Sequence, residues 1–169
     1  MSSDRTLPGP SSAEYALRRE RVLAVLKQSV MIVPAGSLTT YANDCDNRYR
    51  PDGNFRYLTG FPEPGAILVL RPDAEYPVTM FVPARDAQQE VWTGRRHGPE
   101  GATRVHGADA AYPLELIADK LPALIDGCDT LYYSPWRHAD HDARLSSILK
   151  TLRQKERFGR RAPHTIVEP

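Results

Sequence analysis

Val30-Met31-Ile32-Val33 is an unbroken apolar run, closed at once by Pro34-Ala35-Gly36. A strand with one wet face alternates apolar and polar residues. A short strand without that alternation suits a place covered on both faces. The run therefore points to a sheet with helices packed on either side. At 169 residues the chain is about one domain long. A domain of that size buries enough surface to hold a core without disulfides.

The elements around this run follow from local pattern. Residues 1–10 read as a flexible leader ending in Pro8-Gly9-Pro10. Ser11 and Glu14 have capping-box spacing, so a helix starts there and runs to about Gln28. Tyr15, Val22 and Leu26 form its inner stripe, with Arg18, Arg19 and Glu20 turned outward. Residues 43–54 read as a polar loop. Phe55–Thr59, Ala66–Leu70 and Val78–Val82 read as three strands, close enough in sequence to be antiparallel neighbours. Thr103–His106 reads as a further short strand. Pro113 opens a helix with Leu114, Ile117, Leu121 and Leu124 inside, and Pro122 kinks or stops it. Thr130–Tyr133 reads as a strand. In the last helix Leu145, Ile148, Leu149 and Leu152 stand at i, i+3, i+4 and i+7, and Gly159 supplies a cap. The sum is an α/β domain over residues 11–159, with three layers and a mixed β-sheet flanked by helices. Residues 160–169 read as the start of a linker.

Charge and composition narrow the function. Twenty-two Lys and Arg against 21 Asp and Glu leave a net charge of +1. Such a balance argues against a nucleic-acid partner. No apolar run approaches the length of a membrane span. The start, Met1-Ser2-Ser3-Asp4-Arg5, lacks the apolar stretch of a secretory signal. The expected compartment is cytoplasmic, with Cys45 and Cys128 reduced and unbridged.

Chemistry-bearing clusters are few. His138-Ala139-Asp140-His141-Asp142 puts two imidazoles at i and i+3, which could share a metal. The same acids at a helix start complement its dipole, and this reading is preferred because no third ligand or supporting shell is visible. Asp44-Cys45-Asp46-Asn47 with Asp52-Gly53-Asn54 hints at a calcium loop, but Arg48 and Arg50 break the alternation of oxygen ligands. An Asx-rich turn capping its own backbone fits better. Cys45 has no His partner in view, and neither a Gly-x-Ser-x-Gly elbow nor a phosphate-cradling loop occurs. The most unusual stretch is Glu90-Val91-Trp92-Thr93-Gly94-Arg95-Arg96-His97-Gly98. A Trp beside two arginines can stack on a ligand and clamp a carboxylate. Alternatively, the Trp is pinned on its own domain while the arginines pair with Glu90 and Asp86; composition alone favours this.

Three ordered segments together resemble one family. Asp46-Asn47-Arg48-Tyr49-Arg50-Pro51-Asp52-Gly53-Asn54-Phe55-Arg56-Tyr57-Leu58-Thr59-Gly60-Phe61 is similar to a motif of the amino-terminal domain of Xaa-Pro aminopeptidases. Glu63-Pro64-Gly65-Ala66-Ile67-Leu68-Val69-Leu70 continues it in register. Glu90 to Pro99 resembles that domain's Trp–Gly–Arg–Arg segment. The likeness spans roughly residues 12–169 and departs at Gly53, where the family more often has Ser.

The resemblance to this aminopeptidase P, creatinase and prolidase superfamily implies a ribonuclease-H-like domain of the creatinase amino-terminal type. It implies that the chemistry, with a pair of divalent metals (usually manganese), belongs to a carboxy-terminal domain not contained in these residues. No catalytic residue, metal ligand or cofactor is then expected in this chain. The implied partners are the protein's own catalytic domain, other subunits of a homodimer or homotetramer, and a peptide with Pro second. The implied role is oligomerisation and control of substrate access. Trp92 would reach a neighbouring subunit's active site, with Arg95 and Arg96 as structural or substrate-end contacts, the structural role favoured. Two alternatives stand beside this reading: the corresponding domain of a Xaa-Pro dipeptidase, and a free-standing peptide or small-ligand module. The Trp92–Arg96 segment favours the aminopeptidase.

Overall fold

A computed structural model of the chain describes residues 9–38, 40–42, 45–46, 49–85 and 96–169, with backbone alone at 40–42 and 45–46. In chain order the elements are α1 (Ser12–Leu26), β1 (Ser29–Pro34), β2 (Thr40–Ala42), β3 (Cys45–Asp46), α2 (Gly53–Thr59), β4 (Ile67–Leu70) and β5 (Val78–Val82). Then come α3 (Gly98–Arg104), β6 (Ala110–Pro113), α4 (Ile117–Ile125), β7 (Thr130–Tyr132), α5 (Ala139–Gln154) and β8 (Thr165–Val167). Short 3₁₀ turns at Leu114–Leu116 and Glu156–Phe158 link neighbours.

Among the described residues a six-stranded mixed sheet runs β6-β5-β4-β1-β7-β8. The pairs β1–β4 and β4–β5 are antiparallel, and β1–β7, β5–β6 and β7–β8 are parallel. β2 and β3 form a separate antiparallel pair, and β3 lies within the stretch 43–54 read as loop.

Period-two alternation sends successive side chains to opposite faces. Val30 and Ile32 of β1, Ile67 and Val69 of β4, and Phe81 of β5 meet Ile117, Leu121 and Ile125 of α4 and Leu145, Ile148 and Leu152 of α5. Val33, Leu68, Leu70, Met80 and Val82 turn the other way, toward Leu26, Phe55, Leu58 and Ala102 of the first three helices. Each face thus has its own helical layer, as the apolar run of β1 requires.

Several expectations are corrected. Phe55–Thr59 is not a strand but lies in α2. Asp52 Oδ1 accepts the N–H groups of Asn54 at 2.9 Å and Phe55 at 3.3 Å, capping that helix. Gly60, at φ 61°, closes its other end by donating to the Arg56 carbonyl. Phe55, Leu58 and Thr59 then share one buried face. Thr103–His106 also holds no strand, because Pro99 in the first turn starts α3, which runs to Arg104. Pro113 ends β6 instead of opening a helix, and α4 continues past Pro122 to Ile125.

Arg19 is buried, not turned outward. Its guanidinium donates to the Leu58 carbonyl and the Gly107 carbonyl, each at 2.9 Å. The Ser11 cap is as expected, accepting the Glu14 N–H at 3.3 Å.

The stretch read as linker, 160–169, contains β8. Asp126 docks it: one carboxylate oxygen accepts the Arg161 N–H at 2.8 Å, the other the Arg160 guanidinium at 2.6 Å. The strand that follows pairs with β7. Leu149 is only partly buried, while Leu145, Ile148 and Leu152 are buried and His141 takes the inner position one turn before Leu145. Cys128 is buried and free.

This asymmetry of the α5 stripe predicts unequal substitutions. Leu145→Ala should lower unfolding free energy by about 2–5 kcal/mol, as buried Leu truncations do. Leu149→Ala should cost less than half as much. Urea midpoints of the two variants measured side by side check this, and equal losses would contradict the placement.

Candidate functional site

Trp92 and Arg95 lie outside the described residues. Arg96 lies inside them, half-buried, at the point where the Trp–Gly–Arg–Arg segment rejoins the fold. The segment leaves after β5 and returns just before α3, and its two roots touch. Gly98 is buried at φ 60°, and a Cβ there would sit 2.6 Å from Cγ of Arg85. Only glycine lets the chain re-enter so close to the residue that precedes the segment. Gly101 does the same inside α3, where a Cβ would meet Cβ of His97 at 2.7 Å.

The returning root is fastened by residues of the other quoted segments. The His97 N–H donates to the Glu63 carboxylate at 2.5 Å. The His97 ring stands edge-on to the His106 ring, centroids 4.8 Å apart, and lies 5.7 Å from the Phe61 ring. Phe61 and His106 are themselves 5.0 Å apart. His106 Nδ1 is 3.3 Å from the Thr59 carbonyl, an acceptor, which makes this nitrogen the protonated one. Burial pushes the His106 pKa below its usual value, against the bond to Thr59, and the neighbouring His97 and Arg19 add to the fall. Arg19, bonded to the carbonyl of Gly107, braces the same corner from α1.

Beside this root lies an open cavity of about 500 Å³, lined by Arg85, Arg96, His97, Glu100 and Arg104. Its rim carries three guanidiniums and one carboxylate, and Arg104 is paired with Glu100 at 2.9 Å. Sequence reasoning singled out Arg96 but gave no role to Glu63, His97 or His106. Glu63 and His97 are 34 positions apart, and no local pattern couples them.

In the other clusters two carboxylates are bound by the fold itself. Asp142 accepts the Tyr133 hydroxyl at 2.7 Å and the Trp136 N–H at 3.0 Å. Burial and that bond raise the Tyr133 pKa. Asp52 serves as the cap of α2, the Asx-type role expected of it. The side chain of Cys45 lies outside the described residues. Among the described residues no three His, Cys, Asp or Glu side chains are placed to hold a metal, and no helix is long and apolar enough to cross a membrane.

The description "Aminopeptidase P, N-terminal domain" matches residues 15–132, and the chain belongs to that family. It is 35% identical over 159 residues to Xaa-Pro aminopeptidase 3 of Mus musculus, covering 86% of this chain and 31% of that one. It is 32% identical over 161 residues to Xaa-Pro aminopeptidase of Escherichia coli (strain K12), covering 94% and 36%. Among solved structures, the Pseudomonas aeruginosa aminopeptidase PepP superposes with a TM-score of 0.91 at 37% identity, over 96% of this chain and 37% of that one. Zinc-substituted aminopeptidase P of Escherichia coli in complex with product superposes at 0.89 with 30% identity, over 95% and 37%. The chain spans about a third of the length of these relatives.

One buried and one half-buried imidazole give a pH prediction. Burial lowers the pKa of His106 and of His141 from the ordinary 6.5. The unfolded chain therefore takes up these protons first, so stability is full above pH 6.5 and falls as pH drops toward the folded values. Unfolding midpoints measured from pH 8 down to about 5 should decline. His106→Gln should flatten the decline, and an unchanged slope would reject the assignment.

Proposed function

We propose that this chain is the non-catalytic amino-terminal domain of a proline-specific metalloaminopeptidase, which removes the first residue from peptides with Pro second. In this reading the Trp92–Arg96 segment extends from its root to the active site of a neighbouring subunit. Trp92 forms a wall against the peptide, and Arg95 and Arg96 hold the segment and meet the substrate end. The protein works in the cytoplasm as a homodimer or homotetramer, and the domain restricts entry to free chain ends.

The observation that supports this best is the double rooting of the segment. Glu63, His97, His106 and Phe61 fix its return, and Gly98 against Arg85 ties return to departure. An indole and two guanidiniums presented from fixed roots lose less conformational entropy when they bind than the same groups on an untethered loop. The identity to relatives named Xaa-Pro aminopeptidase favours this over a dipeptidase. The zinc-substituted state of the Escherichia coli relative supports a metal-dependent parent. In this reading the metals are a manganese pair held outside these residues.

Two outcomes are expected. The pure 169-residue chain, given Mn²⁺ and an Xaa-Pro peptide, should release no first residue. Metal-dependent release free of host enzyme would overturn the reading. In the full-length protein, Trp92→Ala should reduce peptide turnover by at least tenfold while leaving the unfolding midpoint of this domain nearly unchanged. Unchanged turnover with a large stability loss would make Trp92 a packing residue instead.

A further inference from the structure

His141 is a buried titratable group with no hydrogen-bonded role in the fold. It is 5% exposed, and no protein group bonds to either ring nitrogen. It sits under the first turns of α5, against Ile32 and Pro34 of β1, Ile67 of β4, and Ile117 and Leu121 of α4. The free space there is about 10 Å³, room for at most one water. A neutral imidazole fills such a pocket at modest cost. A charged one needs an acceptor for each nitrogen, and the walls offer none.

The charged groups around the ring do not answer this need. Arg144, three residues on, has a buried Nη1 that no protein group accepts from. The His138 ring stands edge-on to that of His141, centroids 5.9 Å apart. The positive end of the α5 dipole lies at the same turn. Asp140 and Asp142 pull the other way. Yet Asp140 is exposed, and Asp142 has both oxygens engaged, one with the Tyr133 hydroxyl and one with the Trp136 N–H. Asp52 Oδ2 lies 4.0 Å from His138 Nε2, on the other imidazole. β1, β4 and α4 present no titratable side chain to the pocket.

The chain leading into this turn is strained. Trp136, 90% exposed, overhangs a groove between α5 and β8 with its backbone at φ 65°, a region non-glycine residues rarely occupy. The bond from its N–H to Asp142 holds that conformation, so opening the first turns of α5 lets it relax. Ile148 and Leu152 anchor the rest of the helix independently.

We propose that His141 is an acid-operated pin: neutral, it closes the first turns of α5 onto the sheet, and on protonation it leaves its pocket and takes residues 139–144 with it while the rest of the domain stays folded. The opening is local, unlike the global loss of stability to which His106 and His141 both contribute. Burial lowers the His141 pKa from the ordinary 6.5, so the closed turn is fully favoured above pH 6.5 and loses ground as pH falls toward the folded value. One proton taken up on opening multiplies the open population by up to about tenfold per pH unit.

Hydrogen exchange of the chain at about pH 7 and about pH 5.5, corrected for intrinsic rates, tests this. Between the two, the amides of 142–145 should accelerate about fivefold or more relative to those of 149–152 in the same helix. His141→Leu should abolish that relative gain, and His106→Gln should leave it in place. A gain that is absent, that spreads equally over both parts of the helix, or that survives in His141→Leu overturns the proposal. Loss of the gain in His106→Gln would assign it to the other imidazole and also overturn it. Should His141→Leu not fold, magnetic-resonance titration of the His141 ring in the unaltered protein decides. Its midpoint should coincide with that of the gain, and a different midpoint overturns the proposal.

Discussion

β4 supplies two cores at once, and nearly everything else follows from that. Ile67, Leu68, Val69 and Leu70 are each at most 3% exposed, and they alternate between the α4–α5 layer and the α1–α3 layer. Full burial of such a side chain contributes roughly 1.5–3 kcal/mol. A single all-apolar strand therefore commits the chain to helices on both faces. β1 obeys the same rule beside it, and the parallel step from β1 to β7 requires a long crossover, which the intervening chain provides. Loss of either helical layer would expose half of both strands.

Against that apolar frame Arg19 is the exception that organises a corner. A guanidinium out of water is costly unless it is hydrogen-bonded. Its two bonds, to the carbonyls of Leu58 and Gly107, join α1 to the end of α2 and to the turn after α3. Burial lowers its pKa, and the nearby Asp109 carboxylate opposes that fall. The same turn carries His106, which packs on His97. The cation thus steadies the root of the Trp–Gly–Arg–Arg segment from behind.

What was legible in the sequence was what local chemistry decides. The α1 cap, the apolar runs of β1, β4 and β5, and the family motifs all declare themselves within a few residues. Phe55–Thr59 was misread because its aromatic and β-branched residues suit a strand. Yet Asp52 and Gly60 bracket it as helix caps, and capping outweighed composition. Arg18 and Arg19 look alike on paper, and only the distant carbonyls at 58 and 107 turn Arg19 inward. β8 was invisible because a three-residue edge strand beside prolines has too little pattern, and its place is set by Asp126 and β7. The Glu63–His97 tie escaped for the same reason: it is a tertiary fact between residues that no periodicity links.

The sheet also separates its two edges. The Trp–Gly–Arg–Arg segment is rooted after β5, one strand in from the β6 edge, while Trp136 and its groove flank β8 at the opposite edge. From β5 to β8 the order passes β4, β1 and β7, three strand spacings to β7 and a fourth to β8. At about 4.8 Å per spacing that is roughly 19 Å of close-packed sheet. The β8 edge is therefore held away from the roots of the segment near the other edge. A sheet buried on both faces is stiff enough to keep that separation constant. The two-faced burial that fixes the fold therefore also fixes the distance between its two edges.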